Sequence, residues 1–191
     1  MPSILAISGS LRTGSFNTSL LNVAVQVLNG LGATVSVFDF RANPLPIYDA
    51  DMEKNEGFPE NVLRIKAEVK NADAVVIAGP EYNAGPTPLL KNAIDWVSRK
   101  NQQWGAANEW DKKVVAVISA SPGAFGGVRA QYVYRNALSH NGAFIVPDLV
   151  TLPLASDAFD AQGDLLNERT KKALDRNMAS LLEVSSRLRG I

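Results

Sequence analysis

The feature that most constrains this chain is a series of short apolar runs without polar alternation, each followed by a loop and then by a helical pattern. Strands that are apolar on both faces are typical of a parallel sheet covered by helices. Strands that alternate with helices predict a doubly wound α/β domain. We expect five parallel strands with helices on both faces, in a single domain over residues 1–191. The predicted strands are Ile4 to Ile7, Thr34 to Phe38, Ala74 to Ala78, Val114 to Ile118 and Ala143 to Val146.

Apolar residues at helical spacing occupy the intervals between these strands. Loops are expected from Arg41 to Pro59 and from Lys100 to Lys113. In a doubly wound sheet, ligands bind beyond the carboxyl ends of the strands, so we expect a site in the loops after strands one, three and four. The predicted helices are Asn17 to Leu31, a stretch around Val62 to Val69, Thr87 to Arg99, Arg129 to Ser139 and Leu165 to Leu188.

The composition excludes several kinds of chemistry. Nineteen basic residues balance nineteen acidic ones, so a field that would attract nucleic acid has little support. There is no cysteine, and His140 is the single histidine, which leaves thiolate sites, histidine-rich metal sites and a Ser-His-Asp triad poorly supplied. The apolar runs are far shorter than a membrane span, and Met1 leads into the first strand without a signal-like segment. We expect a cytoplasmic protein without a metal, a nucleic-acid partner or membrane insertion.

The loop after the first strand, residues 8–18, combines glycines with hydroxyl side chains and Arg12. It leads into a helix start, where free N–H groups and the helix dipole attract a phosphate. The Walker A pattern fails because its lysine is absent after Gly14, and the dinucleotide pattern fails because Leu11 replaces its second glycine. Asp39, after the second strand, is either a ribose ligand or a solvated or capping carboxylate. The loop therefore predicts a cradle for a single phosphate.

The other two loops suit a planar ligand. In the second, residues 79–96, prolines restrict the main chain, and Thr87 is a natural N-cap. Tyr82 in this loop either offers a stacking surface to a heterocycle or fills a hydrophobic gap. The third loop, residues 119–127, has glycines and small hydroxyls that would let the edge of a flat ligand approach the main chain. Its alternative interpretation is a simple glycine-rich turn.

Five segments of the chain resemble the NAD(P)H-dependent FMN reductase family, and within it the bacterial quinone and chromate reductases. This resemblance implies a flavodoxin-like fold with FMN as cofactor and NADH or NADPH as co-substrate. The segments are Gly9 to Asn17, Pro44 to Asp51, Pro80 to Asn83, Leu90 to Trp96 and Gly126 to Tyr132.

The resemblance also assigns roles to the three loops. The first loop is implied to bind the FMN phosphate, and the second and third are implied to flank the isoalloxazine ring. No side chain is expected to be catalytic, because flavin N5 accepts the hydride. The implied cofactor-binding residues are Ser10, Arg12, Ser15, Phe16, Asn17, Pro80, Glu81, Tyr82, Asn83, Ser119, Ser121 and Gly123.

The implied reaction has two half-reactions at one flavin, in which NAD(P)H delivers a hydride and a small acceptor then takes the electrons. Quinones, free flavin, azo compounds, chromate and ferric complexes are the expected acceptors. A homodimer or a dimer of dimers is implied, with the Thr87 to Trp96 helix and the Pro44 to Asp51 loop as the candidate interface. The alternative is a non-catalytic electron carrier or redox-responsive FMN-binding protein, although a dedicated carrier usually has a strongly acidic surface.

Two segments depart from the family pattern. Residues 84–88 differ from the usual small-polar and Pro-Gly sequence, and the Lys100 to Lys113 connection, with Trp104 and Trp110, is longer than usual. The second departure makes the acceptor pocket harder to predict than the flavin site.

Overall fold

The computed structural model describes residues 1–101 and 105–188. The strands, numbered along the chain, are β1 (Ser3–Ser8), β2 (Thr34–Phe38), β3 (Ala74–Ala78), β4 (Glu81–Tyr82), β5 (Gly85–Pro86), β6 (Val114–Ala120), β7 (Phe144–Ile145) and β8 (Val150–Leu152). The helices are α1 (Phe16–Gly30), α2 (Ala50–Glu56), α3 (Glu60–Asn71), α4 (Pro88–Ser98), α5 (Val128–His140) and α6 (Glu168–Leu188). A short 3-10 helix covers Ala155–Asp157.

The main sheet has the strand order β2-β1-β3-β6-β7, with β8 also paired to β6, and each of these pairs is parallel. The predicted parallel sheet is therefore confirmed. The predicted count of five strands differs from the observed six because the last position is divided. Phe144 pairs with Val114, and Val150 pairs with Ile118 further along β6. Pro147 lies in the gap, where its missing N–H suits an interruption of the ladder.

Helices cover both faces of the sheet, as predicted. In β1, Ile4 and Ala6 belong to a core cluster with apolar residues of α1 and α6. Leu5 and Ile7 point to the opposite side and join a cluster with residues of α3, α4 and α5. Alternate residues of one strand are thus buried under different helix layers, which explains why the strand sequences show no polar alternation.

Helix α2 and the β4–β5 hairpin lie in segments that were predicted as loops. Helix α2 lies within the predicted Arg41 to Pro59 loop, and its N-cap Asp49 accepts hydrogen bonds from the amides of Asp51 and Met52. The antiparallel β4–β5 hairpin lies within the second loop. Of the two tryptophans noted above, Trp104 lies outside the described residues, whereas Trp110 is buried and its Nε1 donates to Ile94 O at 3.1 Å.

Three further observations concern features that were considered in the sequence. The last helix begins at Glu168 because Leu165 instead forms an isolated bridge with Phe159. His140 is exposed in the last turn of α5. No helix within residues 1–101 and 105–188 has the length and apolarity needed to cross a membrane.

Candidate functional site

The loops after β1, β3 and β6 meet at the carboxyl edge of the sheet and line one open cavity of about 190 Å³. We call them loop 1 (residues 9–15), loop 2 (79–87) and loop 3 (121–127). Most of the predicted ligand-binding residues are brought together here. The cavity is lined by Ser10, Arg12, Ser15, Phe16, Asn17, Pro80, Glu81, Tyr82, Ala120, Ser121 and Pro122.

Loop 1 presents hydrogen-bond donors and one positive charge to the cavity. Ser15 is the N-cap of α1, yet its hydroxyl makes no capping hydrogen bond, so it remains free for a ligand beside the first amides of the helix. Arg12 donates from Nη2 to Gly14 O at 3.1 Å, and its guanidinium lies 4.9 Å from the centre of the Phe16 ring. The Ser10 hydroxyl accepts from Arg12 N at 3.2 Å. This arrangement suits a phosphate at the helix N-terminus.

Asn17, which also lines the cavity, joins two secondary-structure elements through its side chain. Its buried Nδ2 donates to Ala120 O at 2.8 Å, and its Oδ1 accepts from Ala120 N at 3.0 Å. These two bonds fasten the first turn of α1 to the end of β6. The Asn17 side chain is therefore committed to the protein, and its main-chain amide is the group left to face a ligand.

Loop 2 is a rigid hairpin. Asn83 and Ala84 connect β4 to β5 with φ angles of 51° and 63°, the pattern of a two-residue type I′ turn. Asn83 lies at the tip and does not line the cavity. Tyr82 is 51% exposed, so it does not fill a gap in the core and its ring is available at the cavity mouth. This resolves the two interpretations of Tyr82 in favour of an exposed surface.

Glu81 is anchored rather than free. Its carboxylate accepts hydrogen bonds from Arg129 N at 3.1 Å and from Arg129 Nε at 2.6 Å. Arg129 lies in the first turn of α5, where a carboxylate also interacts favourably with the helix dipole. The Glu81–Arg129 pair therefore attaches loop 2 to α5, a role for Arg129 that no local sequence pattern predicts.

The bases of loops 1 and 2 are joined by Thr87 and Tyr134. The Thr87 hydroxyl donates to Gly9 O at 3.1 Å and accepts from Leu90 N at 3.3 Å. The buried Tyr134 hydroxyl accepts from Thr87 N at 2.7 Å and donates to Pro80 O at 3.0 Å. Burial raises the pKa of Tyr134, which keeps the phenol protonated as a donor. Tyr134 was missed because its partners are distant in sequence.

Glycine is required where these loops leave the sheet. A Cβ on Gly9 would lie 2.3 Å from Leu90 Cδ1, and a Cβ on Gly79 would lie 2.5 Å from Tyr134 Cε2. Neither distance is sterically possible, so a larger residue at either position would force the Leu90 or Tyr134 side chain to shift.

Loop 3 is held from below by Ser119. This serine is fully buried, its hydroxyl donates to Gly126 O at 2.6 Å, and it accepts from Gln131 Nε2 at 2.9 Å. It lies outside the cavity lining, as does the exposed Gly123. Ser121 does line the cavity, and its hydroxyl accepts from Gly123 N at 3.1 Å. Ser119 and Gly123 thus shape the loop, whereas Ser121 faces the ligand space.

The predicted dimer interface needs a correction in its helical part, whereas the Pro44 to Asp51 loop stays a prediction. The apolar residues of α4, such as Leu90, Ile94 and Trp96, are buried inside the subunit, because they cover the sheet and the α2–α3 region. They form no surface that a partner could contact. Exposed apolar side chains are found instead at Tyr82, which lines the cavity, and at Phe125 in loop 3.

The remaining candidates lie elsewhere. Asp39 Oδ1 accepts from Arg41 N at 2.7 Å, as expected of a turn-capping carboxylate. His140 lies at the opposite end of α5 from loop 3. Within the described part of the chain, no group of three or more His, Cys, Asp or Glu residues could hold a metal ion.

The geometry fits a phosphorylated planar ligand such as FMN. The free Ser15 hydroxyl and the Arg12 charge suit the phosphate, and Tyr82 offers an aromatic surface at the other end. The cavity is smaller than the roughly 300–1,000 Å³ of sites that enclose a whole ligand, so part of such a ligand would lie at the surface. The fold and site together define a flavodoxin-like α/β protein with a mononucleotide cleft at the carboxyl edge of its sheet.

Comparisons with known proteins identify the family. The family model of the NADPH-dependent FMN reductases matches residues 2–157. An NAD(P)H-dependent FMN reductase of Pseudomonas aeruginosa is 36% identical over 189 residues, which cover 98% of this chain and 97% of the relative. An NADPH:quinone oxidoreductase of Arabidopsis thaliana is 34% identical over 98% of this chain and 93% of its own. This chain belongs to the NADPH-dependent FMN reductase family.

A solved structure gives the same result. FerB, a flavoenzyme NAD(P)H:(acceptor) oxidoreductase from Paracoccus denitrificans, matches with a TM-score of 0.81 and 30% identity over 98% of both chains. The predicted family, flavodoxin-like fold, FMN cofactor and NAD(P)H-dependent oxidoreductase class are confirmed. The electron-carrier alternative is not supported by this family membership.

Proposed function

We propose that this protein uses FMN to pass electrons from NADH or NADPH to quinones and related small acceptors. The observation that carries the proposal is the convergence of three loops on one open cavity, with Arg12 and Ser15 at one end and Tyr82 at the other. Relatives named as quinone oxidoreductases support quinones as acceptors. When bound, FMN supplies the hydride-accepting and electron-donating chemistry, while the protein binds and orients the reactants.

The phosphate end of the site consists of Ser10, Arg12, Ser15 and the first main-chain amides of α1 at Phe16 and Asn17. Arg12 provides a charge-assisted contact, and the Ser15 hydroxyl is free because it makes no capping hydrogen bond. The helix dipole adds a favourable term for a dianionic group at this position.

The ring end of the site consists of the hairpin and loop 3. Buried Pro80 and half-exposed Tyr82 form one side, and Ser121 forms the other. Glu81, Asn83, Ser119 and Gly123 hold these segments in shape through the contacts described above. The open mouth leaves one side of a bound ring accessible, which suits reactants that bind in turn.

The same open mouth makes a broad range of acceptors reasonable. We propose free flavin, azo compounds, chromate and ferric complexes beside quinones, since the described lining contains no feature that selects one of them. We also propose that the chain acts as one domain in the cytoplasm.

We further propose a homodimer, which could pair again into a tetramer. Tyr82 lines the cavity, which is too small to enclose a ligand, and is 51% exposed. Phe125, in loop 3 against the Arg129 guanidinium, is 65% exposed. A two-fold partner can supply the missing walls with the same patch. Sedimentation at decreasing concentration tests this, and a fully active monomer at every concentration would contradict it.

The enzymatic proposal is tested by steady-state kinetics of the FMN-loaded protein with NADH or NADPH and a benzoquinone. Varying both substrates should give parallel double-reciprocal lines, as expected when both react at one site in turn. Tight FMN binding combined with negligible turnover for every acceptor would instead favour the electron carrier.

A further inference from the structure

A second cavity lies on the other side of loop 1. It has a volume of about 220 Å³ and shares Ser10 and Arg12 with the first cavity. It opens between loop 1 and the carboxyl end of the edge strand β2. It is lined by Ser8, Ser10, Leu11, Arg12, Thr18, Val37, Phe38, Asp39, Phe40 and Arg41. No part of the function proposed so far uses this space.

The lining of this second cavity combines polar side chains with four apolar ones, those of Leu11, Val37, Phe38 and Phe40. Leu11 is 43% exposed and Val37 is 56% exposed, although both are large hydrophobic residues. Phe38 and Phe40 are buried beneath them, with their rings edge to face at 4.9 Å. Apolar side chains on facing walls suit a flat heterocycle, as in most small-ligand sites.

The rim of the second cavity carries a negatively charged hydrogen-bond acceptor, Asp39, and a positively charged donor, Arg41. Asp39 and Arg41 follow β2 directly and both are exposed. Asp39 Oδ1 accepts from Arg41 N, and Arg41 Nη2 donates to Leu11 O. In dinucleotide-binding sheets, an acid at this strand end accepts from the adenosine ribose 2′-hydroxyl, and a nearby arginine accommodates a 2′-phosphate. Here both groups stand at the same strand end, beside an apolar cleft.

We propose that this second cavity binds the adenosine end of NADH and NADPH. Leu11 and Val37 contact the purine, Asp39 accepts from the 2′-hydroxyl of NADH, and Arg41 binds the 2′-phosphate of NADPH. Arg12 borders both cavities, so the second cavity directly adjoins the phosphate end of the proposed FMN site. The inference rests on the proposed function, because it assumes NADH or NADPH as the reductant.

The pair of charged residues explains how one site can accept both nucleotides. An acid alone would repel a 2′-phosphate, and an arginine alone would leave the 2′-hydroxyl without its acceptor. The two substitutions therefore have opposite effects: Arg41→Ala weakens binding of the phosphorylated nucleotide, and Asp39→Ala weakens binding of the unphosphorylated one.

Calorimetric titration of the FMN-loaded protein with adenosine 2′,5′-bisphosphate and with ADP tests this without relying on turnover. Loss of a charge-assisted contact worth about 1.5–3 kcal/mol lowers affinity roughly tenfold to hundredfold. We expect that loss for the bisphosphate with Arg41→Ala, and little change for ADP. Asp39→Ala should weaken ADP and leave the bisphosphate equal or tighter. Arg176→Ala, an exposed arginine of α6, is the control and should change neither.

Arg41 also contacts loop 1, so a second variant separates ligand binding from loop structure. Val37→Glu puts a carboxylate on the outer wall and leaves the Arg41 contact with Leu11 intact. It should weaken the bisphosphate at least severalfold at unchanged FMN affinity. The inference would be overturned if the unaltered protein showed no detectable binding of the bisphosphate. It would also be overturned if Arg41→Ala and Val37→Glu both bound the bisphosphate within twofold of the affinity of the unaltered protein. If quinone turnover is then normal, the proposed function stands; if turnover is absent as well, the proposed function also fails.

Discussion

The side-chain amide of Asn17 forms two hydrogen bonds with the main chain of Ala120, at 2.8 Å to the carbonyl and 3.0 Å from the amide. The two residues are separated by 103 positions in the sequence. One side chain therefore fixes helix α1, which begins at the proposed phosphate site, relative to the strand that leads into loop 3.

Replacing Asn17 with alanine should destabilise the protein strongly. The change leaves the buried N–H and C=O of Ala120 unpaired, at about 1–3 kcal/mol for each group. Each kcal/mol lowers the Tm of a chain of this size by roughly 2–4 °C. Thermal unfolding would measure the loss, with Asn22→Ala as the control because Asn22 is exposed on the same helix. Equal Tm values for both variants would contradict the anchoring role.

Arg12→Ala should weaken FMN binding. The substitution removes a charge-assisted contact of roughly 1.5–3 kcal/mol, which corresponds to a tenfold to hundredfold increase in Kd. Flavin fluorescence during titration of the apoprotein provides the measurement. Arg187→Ala is a suitable control, since Arg187 is exposed and pairs only with Glu183 in the contacts described for α6. An unchanged Kd for Arg12→Ala would remove Arg12 from the phosphate cradle.

Tyr82→Ala should alter the flavin spectrum and the turnover rate more than the stability. Half of the Tyr82 surface is already exposed, so little apolar burial is lost on truncation. Absorbance spectra, kinetics and Tm should be compared with those of Tyr132→Ala, whose side chain is 59% exposed on α5. A collapse of the Tm together with normal kinetics in the folded fraction would show that Tyr82 is a core residue.

Ala84→Gly should stabilise the hairpin. Ala84 has a φ of 63°, and a left-handed conformation costs a residue with a Cβ about 1–2 kcal/mol. The greater freedom of glycine in the unfolded chain cancels roughly 0.5–1 kcal/mol of the gain. Chemical denaturation should show a net gain of up to about 1.5 kcal/mol. Ala161→Gly, in an exposed turn without a positive φ, should show no gain, and a loss at position 84 would contradict the turn assignment.

Lys66 should give the stability a measurable pH dependence. Its buried ammonium donates to Val97 O, Arg99 O and Ala107 O at 2.6–3.0 Å. Burial lowers the pKa of Lys66 from 10.5 to about 8. Between these two values the unfolded chain holds more protons than the folded one, so the contribution of Lys66 to stability rises with pH across this window. Below pH 8 the cost of burying the charge is fully present.

Unfolding free energies of the unaltered protein and Lys66→Met, compared from pH 7.5 to 10, isolate this group. The variant leaves three carbonyls without their donor and is less stable overall, so the difference in slope is the informative quantity. The free energy of unfolding of the unaltered protein, relative to that of Lys66→Met, should increase as the pH rises. Parallel pH profiles would show that the Lys66 pKa is not lowered.

The parts of the fold that sequence could predict are those that depend on local pattern. Strand β3 consists of five buried apolar residues, a pattern that a parallel sheet requires and few other structures produce. Thr87 was predicted as an N-cap, and its side chain does accept from Leu90 N. Such signals depend on neighbouring residues and do not need knowledge of the rest of the chain.

What sequence could not predict depends on contacts between distant segments. The Tyr134 hydroxyl forms hydrogen bonds with Thr87 and Pro80, which are 47 and 54 positions away in the sequence. The residues next to Tyr134 in the sequence do not predict these partners. Helix α2 was missed because prolines and acids surround it and its cap, Asp49, resembles any loop carboxylate. Ser119 was expected to face the flavin, yet the fold turns it inward, where its hydroxyl supports loop 3.

The bonds at the bases of the three loops join protein to protein: Thr87 to Gly9, Tyr134 to Pro80, and Asn17 to Ala120. The conformational entropy of these segments is therefore lost when the chain folds, and not when a ligand arrives. A ligand that enters a cleft ordered in advance retains more of its interaction energy as affinity. The same reasoning applies when the cofactor leaves. The protein would stay folded with its binding cleft intact, so another cofactor molecule could bind without any reordering of the loops.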